Sequence, residues 1–294
     1  MRVFHEIEPL RGFLAGLRRE DRRVAFVPTM GALHDGHGAC VRLARSVDRG
    51  AVVCSVFVNP AQFAPGEDVD RYPRTLDADA EQLRGWNCDA VFAPAVAVMY
   101  PRPQRVWVDV AGLSEPLCGR FRPGHFRGVA TVVSKLFHIV RPDVAVFGQK
   151  DAQQALVVRS LVEQLNLAVE LKLARTVREP DGLAMSSRNR YLSAPERARA
   201  LALYRALQAA RAALEGGERD ARAVERAAGD ALRAGGIERI DYAELRRADD
   251  LSALERAEGR VILAIAAHAG STRLIDNMVF DVGARGVISD VALF

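Results

Sequence analysis

No run of eighteen or more uninterrupted apolar residues occurs in this 294-residue chain, which excludes a membrane-spanning helix. The opening residues Met1-Arg2-Val3-Phe4-His5-Glu6 also lack the apolar core of a signal peptide, so a soluble cytoplasmic protein with no membrane partner is expected. Cysteine is scarce. Cys40, Cys54, Cys88 and Cys118 are widely spaced and include no Cys-x-x-Cys pair, and Cys54 sits in an apolar strand-like run. Reduced structural thiols are the expectation, rather than a redox motif or a disulfide framework. Internal repeats, low-complexity linkers and aromatic-rich basic motifs are also missing. The net charge of +4 and pI near 9.1 therefore do not imply a nucleic-acid partner. The arginines are interspersed with nearly as many acids, above all after residue 194, as on a solvated charged surface. Hydrophobic residues, at 49% of the chain, are sufficient for a sizeable core, and the length exceeds that of a usual single domain, so two domains are expected.

The most informative segment runs from Pro28 to His37 and reads Pro-Thr-Met-Gly-Ala-Leu-His-Asp-Gly-His. It follows an apolar strand, Val24 to Val27. It leads into a run from Gly38 to Arg49 that carries Val41, Leu43, Ala44 and Val47 at helical spacing. Gly31 allows the backbone to pass close to a ligand. His34 and His37 fall on one face of a first helical turn, where unpaired backbone N–H groups and the helix dipole already favour an anion. Phosphate is the anion expected. Zinc fits poorly, because metalloprotease histidines stand four apart around a glutamate, whereas these stand three apart around Asp35-Gly36.

Further along, Ala51 to Val58 reads as a strand ending in the polar loop Asn59-Pro60-Ala61-Gln62-Phe63. Asp77 to Arg84 reads as helix, Ala90 to Phe92 as strand, Thr131 to Val140 as helix, and Val144 to Phe147 as a strand leading into Gly148-Gln149-Lys150-Asp151. This alternation predicts an α/β fold with a Rossmann-like, doubly wound parallel sheet. Ligands of such sheets bind beyond the carboxyl ends of the strands, where His34, Asn59, Gln62, Lys150 and Asp151 all fall. After Tyr191 the composition changes. Ser193-Ala194-Pro195-Glu196 has the form of a capping box, one Ala/Arg-rich helix stops at Gly216-Gly217 and another near Gly235-Gly236. A few strands follow, at Ile240 to Tyr242, Val261 to Ala267 and Arg273 to Phe280. The expected division is residues 1–184 as the Rossmann-like domain and residues 185–294 as a smaller α+β C-terminal domain.

At this boundary lies a second chemical cluster, Met185-Ser186-Ser187-Arg188-Asn189-Arg190, behind the turn Pro180-Asp181-Gly182. Hydroxyls and a guanidinium suit phosphate oxygens, and arginine keeps its charge as negative charge grows on a leaving pyrophosphate. Taken alone, this is equally a Ser-rich turn before a helix, Lys150 a surface lysine, and Gln153-Gln154 the polar face of the next helix. Their order on an alternating fold is what gives them meaning together.

Those motifs, with Val56 to Phe63, Tyr72-Pro73-Arg74-Thr75, Phe121 to Thr131, Gly148 to Gln154 and Ser271 to Asn277, resemble the pantothenate synthetase (pantoate–β-alanine ligase) family of the His-Ile-Gly-His nucleotidyltransferases. The resemblance spans nearly the whole chain and leaves the tail from Asp281 to Phe294 unassigned. It implies that ATP and pantoate give enzyme-bound pantoyl adenylate and pyrophosphate, after which β-alanine attacks the acyl carbon to give pantothenate and AMP. Carried over by residue, it implies that Met30, Gly31, Ala32, Leu33, His34, Asp35, Gly36 and His37 line the ATP site, with His34 and His37 on phosphate oxygens and His37 stabilising the transition state. Gly148, Gln149, Lys150, Asp151 and Val177 hold the nucleotide, Asp151 through the ribose. Lys150, Met185, Ser186, Ser187 and Arg188 hold phosphates. Gln62 and Gln154 bind pantoate, Gln62 also lying near β-alanine. The C-terminal domain is expected to close over the nucleotide site. Mg²⁺ is expected with ATP, largely through the phosphates, with Asp77 and Asp79 as weak candidate ligands. A homodimer is the expected assembly. Gln149 departs from the glutamate usual in the family. A dinucleotide-forming adenylyltransferase and an RNA-binding protein on a nucleotide-binding fold are the competing readings. The two glutamines, as neutral donors for a small polyol acid, favour the ligase.

Overall fold

A computed structural model of the chain describes residues 1–47, 50–64, 66–284 and 286–294. The chain divides into two compact units. The first comprises Met1–Ser114, Arg122–Gly148 and Val157–Ala174; the second comprises Glu115–Phe121, Gln149–Leu156 and Arg175–Phe294.

In chain order the elements begin with β1 (Arg2–Phe4), α1 (Ile7–Arg19), β2 (Val24–Thr29), α2 (Asp35–Val47) and β3 (Ala51–Val56). Then come α3 (Leu76–Gly85), β4 (Ala90–Phe92), α4 (Val96–Met99), α5 (Cys118–Phe121), α6 (His125–Val140), β5 (Val144–Gly148), α7 (Ala152–Gln164) and β6 (Glu170–Ala174). These six strands form one parallel sheet in the order β1-β4-β3-β2-β5-β6. The order reverses between β2 and β5, the switch point where sheets of this kind bind ligands.

The sheet is buried on both faces, which is why β2 and β3 read as continuous apolar runs. Within β2, Val24 and Phe26 join Leu10 and Leu14 of α1 and Val129, Val133 and Leu136 of α6 in one core. Ala25 and Val27 join Val41 and Ala44 of α2 and Leu83 of α3 in the other. α1 buries Leu10, Leu14 and Leu17, spaced to fall on one helical face.

The second unit holds α8 (Ala194–Glu215), α9 (Ala221–Ala234), β7 (Arg239–Arg247), β8 (Gly259–Ala269), β9 (Thr272–Gly283) and β10 (Gly286–Ser289). α8 starts with the expected Ser193/Glu196 capping box, and Asp220 caps α9 by accepting from Ala223 N at 2.7 Å. The strands make an antiparallel sheet, order β10-β9-β8-β7. One face of it, including Leu245, Val261, Leu263, Ile265 and Phe280, packs on Leu203, Leu207, Val224 and Leu232 of the two helices.

Several element boundaries differ from the sequence reading; β3, for one, ends at Val56 rather than Val58. The helix of the histidine motif begins at Asp35, where its first turn was expected, and the end of the helical run that follows, Arg49, lies outside the described residues. The helix expected from Thr131 begins at His125, directly after Gly124 in the left-handed region (φ 79°). The tail left unassigned from the sequence contains the end of β9 and all of β10.

Candidate active site

The turn after β2 is built by backbone strain and one buried acid. Gly31 has φ 79° and Ala32 φ 50°, so two successive residues occupy the left-handed region. A Cβ on Gly31 would lie 2.9 Å from both Asp79 Oδ2 and Val56 Cγ1, so only glycine fits. Asp79 accepts from Ala32 N at 3.1 Å, Leu33 N at 2.8 Å and the Thr75 hydroxyl at 3.1 Å. Its carboxylate is therefore spent on shaping this loop, a role at odds with the weak candidacy for metal.

From this loop His34 and His37 enter α2 with ring centroids 4.2 Å apart. His34 Nδ1 accepts from Gly36 N at 3.2 Å, and His37 Nδ1 accepts from His34 N at 3.3 Å. A neutral imidazole that accepts at Nδ1 carries its proton on Nε2, so each ring offers Nε2–H as a donor. The pair is thereby set as two donors at a helix N-terminus, the arrangement an anion requires.

After β3, Asn59 and Gln62 form a buried amide pair. Asn59 Nδ2 donates to Gln62 Oε1 at 3.0 Å and to Gly128 O at 3.2 Å, while the Tyr100 hydroxyl donates to Asn59 Oδ1 at 2.7 Å. Burial pushes the Tyr100 phenol up to about 12, so it remains a donor across ordinary pH. With its oxygen engaged, Gln62 turns Nε2 toward Met30 Sδ at 3.1 Å, a weak acceptor. A carboxylate would be a stronger one. α6 approaches this turn so closely that a Cβ on Gly128 would lie 2.2 Å from Ala61 O. The carbonyl of Gln62 receives His125 Nδ1 at 2.8 Å, and Arg122 forms a paired contact with Glu67 at 2.8 and 2.6 Å.

In the second unit, Gln149–Asp151 form a 3-10 turn. Asn277 of β9 donates through Nδ2 to the carbonyls of both Gln149 (3.0 Å) and Lys150 (2.9 Å). The neighbouring Asp276 binds Arg178 through two contacts at 2.6 and 3.0 Å. Burial pushes the Asp276 carboxyl up and the guanidinium of Arg178 pulls it back. Beside Arg178, Val177 O accepts from Met185 N at 2.9 Å, which brings Val177 to the start of the serine-rich loop. Ser186 caps the 3-10 turn Ser187–Tyr191 by accepting from Arg188 N at 3.3 Å, and Asn189 Nδ2 donates to Ala184 O at 3.1 Å.

The structure thus gathers Met30 to His37 with Gln62 in the first unit, and gathers 149–151, Val177 and Met185 to Arg188 in the second. Gly148 ends β5, and Gln154 is half-buried on α7. Sequence reasoning gave no role to Tyr100, Arg122, His125 and Asn277, and read Asp79 only as a candidate metal ligand rather than as the organiser of the loop. For Asp79 a signal existed, since it shares the buried face of α3 with Ala80 and Leu83. Among the described residues no group of three or more His, Cys, Asp or Glu is arranged to hold a metal ion, and no helix is long and apolar enough to cross a membrane.

Comparison with known proteins gives a consistent result. The family model described as pantoate-beta-alanine ligase matches residues 2–279. Pantothenate synthetase of Moorella thermoacetica is 50% identical over 282 residues, covering 96% of this chain and 99% of the relative. That of Thiobacillus denitrificans is 54% identical, covering 95% and 96%. Among solved structures, pantothenate synthetase from Thermus thermophilus superposes with a TM-score of 0.89 at 46% identity, covering 94% of this chain and 98% of that one. The pantoate-beta-alanine ligase from Francisella tularensis, complexed with beta-gamma ATP and beta-alanine, gives 0.78 at 29% identity, covering 94% and 97%.

Proposed function

The chain belongs to the pantoate–β-alanine ligase family, and from that premise we propose which of its residues carry out each part of the reaction. It condenses pantoate with β-alanine at the expense of ATP, through the family's acyl-adenylate route. Activation is required because a carboxylate is a poor acyl donor. Attack of the pantoate carboxylate on the α-phosphorus forms a C–O–P anhydride and breaks the bond to pyrophosphate. The β-alanine amine then attacks the acyl carbon, AMP leaves, and the amine loses its proton.

His34 and His37 donate Nε2–H to phosphate oxygens, and His37 follows the charge that grows as pyrophosphate departs. The observation that carries this assignment is the Nδ1 engagement of both rings, which supports a fixed pair of donors at the N-terminus of α2. One well-placed donor of this kind is worth about 3 kcal/mol in the transition state. Lys150, Ser186, Ser187 and Arg188 bind phosphates. Gly148, the turn 149–151 and Val177 hold the nucleoside, Asp151 through the ribose hydroxyls. Gln62 donates to the pantoate carboxylate, a role supported by its orientation toward Met30, and Gln154 contributes to the same substrate.

Mg²⁺ would accompany ATP as counterion and would supply charge neutralisation of the polyphosphate, bound mainly by the nucleotide rather than by the described residues of this chain. The enzyme acts as a homodimer. The four buried free cysteines support a cytoplasmic location.

Mass-spectrometric product analysis tests the whole reading. With ATP, Mg²⁺ and pantoate alone, pyrophosphate and pantoyl adenylate are expected, and addition of β-alanine yields AMP and pantothenate. A stable nucleotide-containing product in the presence of β-alanine would instead mark an adenylyltransferase.

A further inference from the structure

Gln149 sits in the nucleotide turn, yet its side chain faces the chain's own tail. It is 3% exposed; its Nε2 donates to Val291 O at 3.0 Å and its Oε1 accepts from Leu293 N at 3.2 Å. A primary amide of this length can do both at once. A glutamate could accept from Leu293 but would set a carboxylate oxygen against the Val291 carbonyl. The tail is secured independently as well, because Val291 N donates to Val279 O at 3.2 Å and Leu293 is 2% exposed. On the same turn, Asn277 Nδ2 takes the carbonyls of Gln149 and Lys150. These contacts fix the backbone on which Lys150 and Asp151 are carried. The tail lies past the 2–279 stretch matched by the family model.

We propose that residues 291–294 form a built-in strap for the nucleotide turn, with Gln149 as its socket, so that docking of the tail sets the affinity for ATP. Gln149 is on this account a positioning residue, acting through the placement of Lys150 and Asp151. The proposal deepens the assigned function and rests on the reading that the turn 149–151 holds ATP.

A double-variant cycle tests it. Deletion of residues 291–294 and Gln149→Glu are made separately and together, and KM for ATP and kcat are measured by pantoate-dependent pyrophosphate release. Each single change is expected to raise KM for ATP about three- to tenfold, the scale of one or two lost hydrogen bonds, with kcat and KM for β-alanine little altered. The double variant should be no worse than either single one, because both changes remove the same docking. Gln149→Met, which keeps the tail and the side-chain length but neither hydrogen bond, should give the same shift at a temperature where its own unfolding midpoint shows it to be folded. This keeps the test valid if deletion weakens the fold. Multiplying effects in the double variant, or a deletion without effect on KM for ATP, would overturn the strap. Lys150→Ala separates the two layers. If it leaves ATP use intact, the nucleotide reading of the turn fails and the strap fails with it. If ATP use is impaired while the cycle multiplies, only the strap fails.

Discussion

The carboxylate of Asp79 receives the backbone N–H of Leu33, 46 residues earlier in the chain, at 2.8 Å. Its other oxygen receives Ala32 N, so a buried charge on α3 holds open the left-handed turn that leads to the two histidines. Hydrogen bonds to a carboxylate are stronger than neutral ones, and removal of the acceptor leaves buried N–H groups unsatisfied. Asp79→Ala is therefore expected to cost about 2–4 kcal/mol of stability and to raise KM for ATP. Asp79→Asn, which keeps one acceptor oxygen, should cost less. Denaturant unfolding together with ATP titration of the rate checks both, and a native KM in Asp79→Ala would show that the turn keeps its shape without this acid.

His37→Ala should slow adenylate formation about a hundredfold or more, the usual cost of one transition-state donor. Its hydrogen bond from His34 N, at 3.3 Å, is long and therefore weak, so the unfolding midpoint should move little. Single-turnover measurement of pyrophosphate release separates this effect from later steps. An unaltered rate would remove His37 from the assigned role.

The parts of this protein that were legible in the sequence are those in which neighbours in the chain are neighbours in space. β2, β3 and β5 announce themselves because a parallel sheet covered on both faces needs unbroken apolar runs, and the Ser193/Glu196 box is a pattern complete in four residues. The histidine turn was legible for the same reason. Asp79, Asn277 and the tail were not, because each acts on a segment 46 or more residues away and its side chain alone does not say which backbone groups it will meet. Nor could a single cut along the chain describe units in which Glu115–Phe121 and Gln149–Leu156 group with residues after Arg175. β1 and β10, with three and four residues, are too short to show any period.

Gln62→Glu preserves the size of the side chain while reversing what it offers. Its acceptor contact with Asn59 Nδ2 survives, but the donor toward Met30 is replaced by negative charge. If Gln62 binds the pantoate carboxylate, KM for pantoate should rise at least about tenfold, since a favourable hydrogen bond becomes like-charge repulsion. KM for ATP should stay close to its original value. A variant that loses ATP affinity instead, with pantoate unaffected, would move Gln62 out of the pantoate site.

The Glu67–Arg122 pair gives the segment after Gln62 a pH dependence whose sign is fixed by its surroundings. Burial alone would raise the Glu67 carboxyl, but its two contacts with Arg122, with His125 also nearby, hold it below its ordinary value of 4.5. A carboxyl depressed in the folded state stabilises the fold fully above its unfolded value, and that contribution disappears as pH falls through the lower folded value. The stability difference between the native protein and Glu67→Gln should therefore stay level from neutral pH down to about 5. It should then shrink below 4.5, where the unfolded chain takes up the proton before the native carboxyl does. The plateau should be modest, at most about 1 kcal/mol, because the pair is partly open to solvent. Denaturant titrations of both proteins across this range provide the check. A difference that grows on acidification would mean that burial, not Arg122, governs the carboxyl, and that the pair is a cost the fold tolerates rather than a tie on the loop.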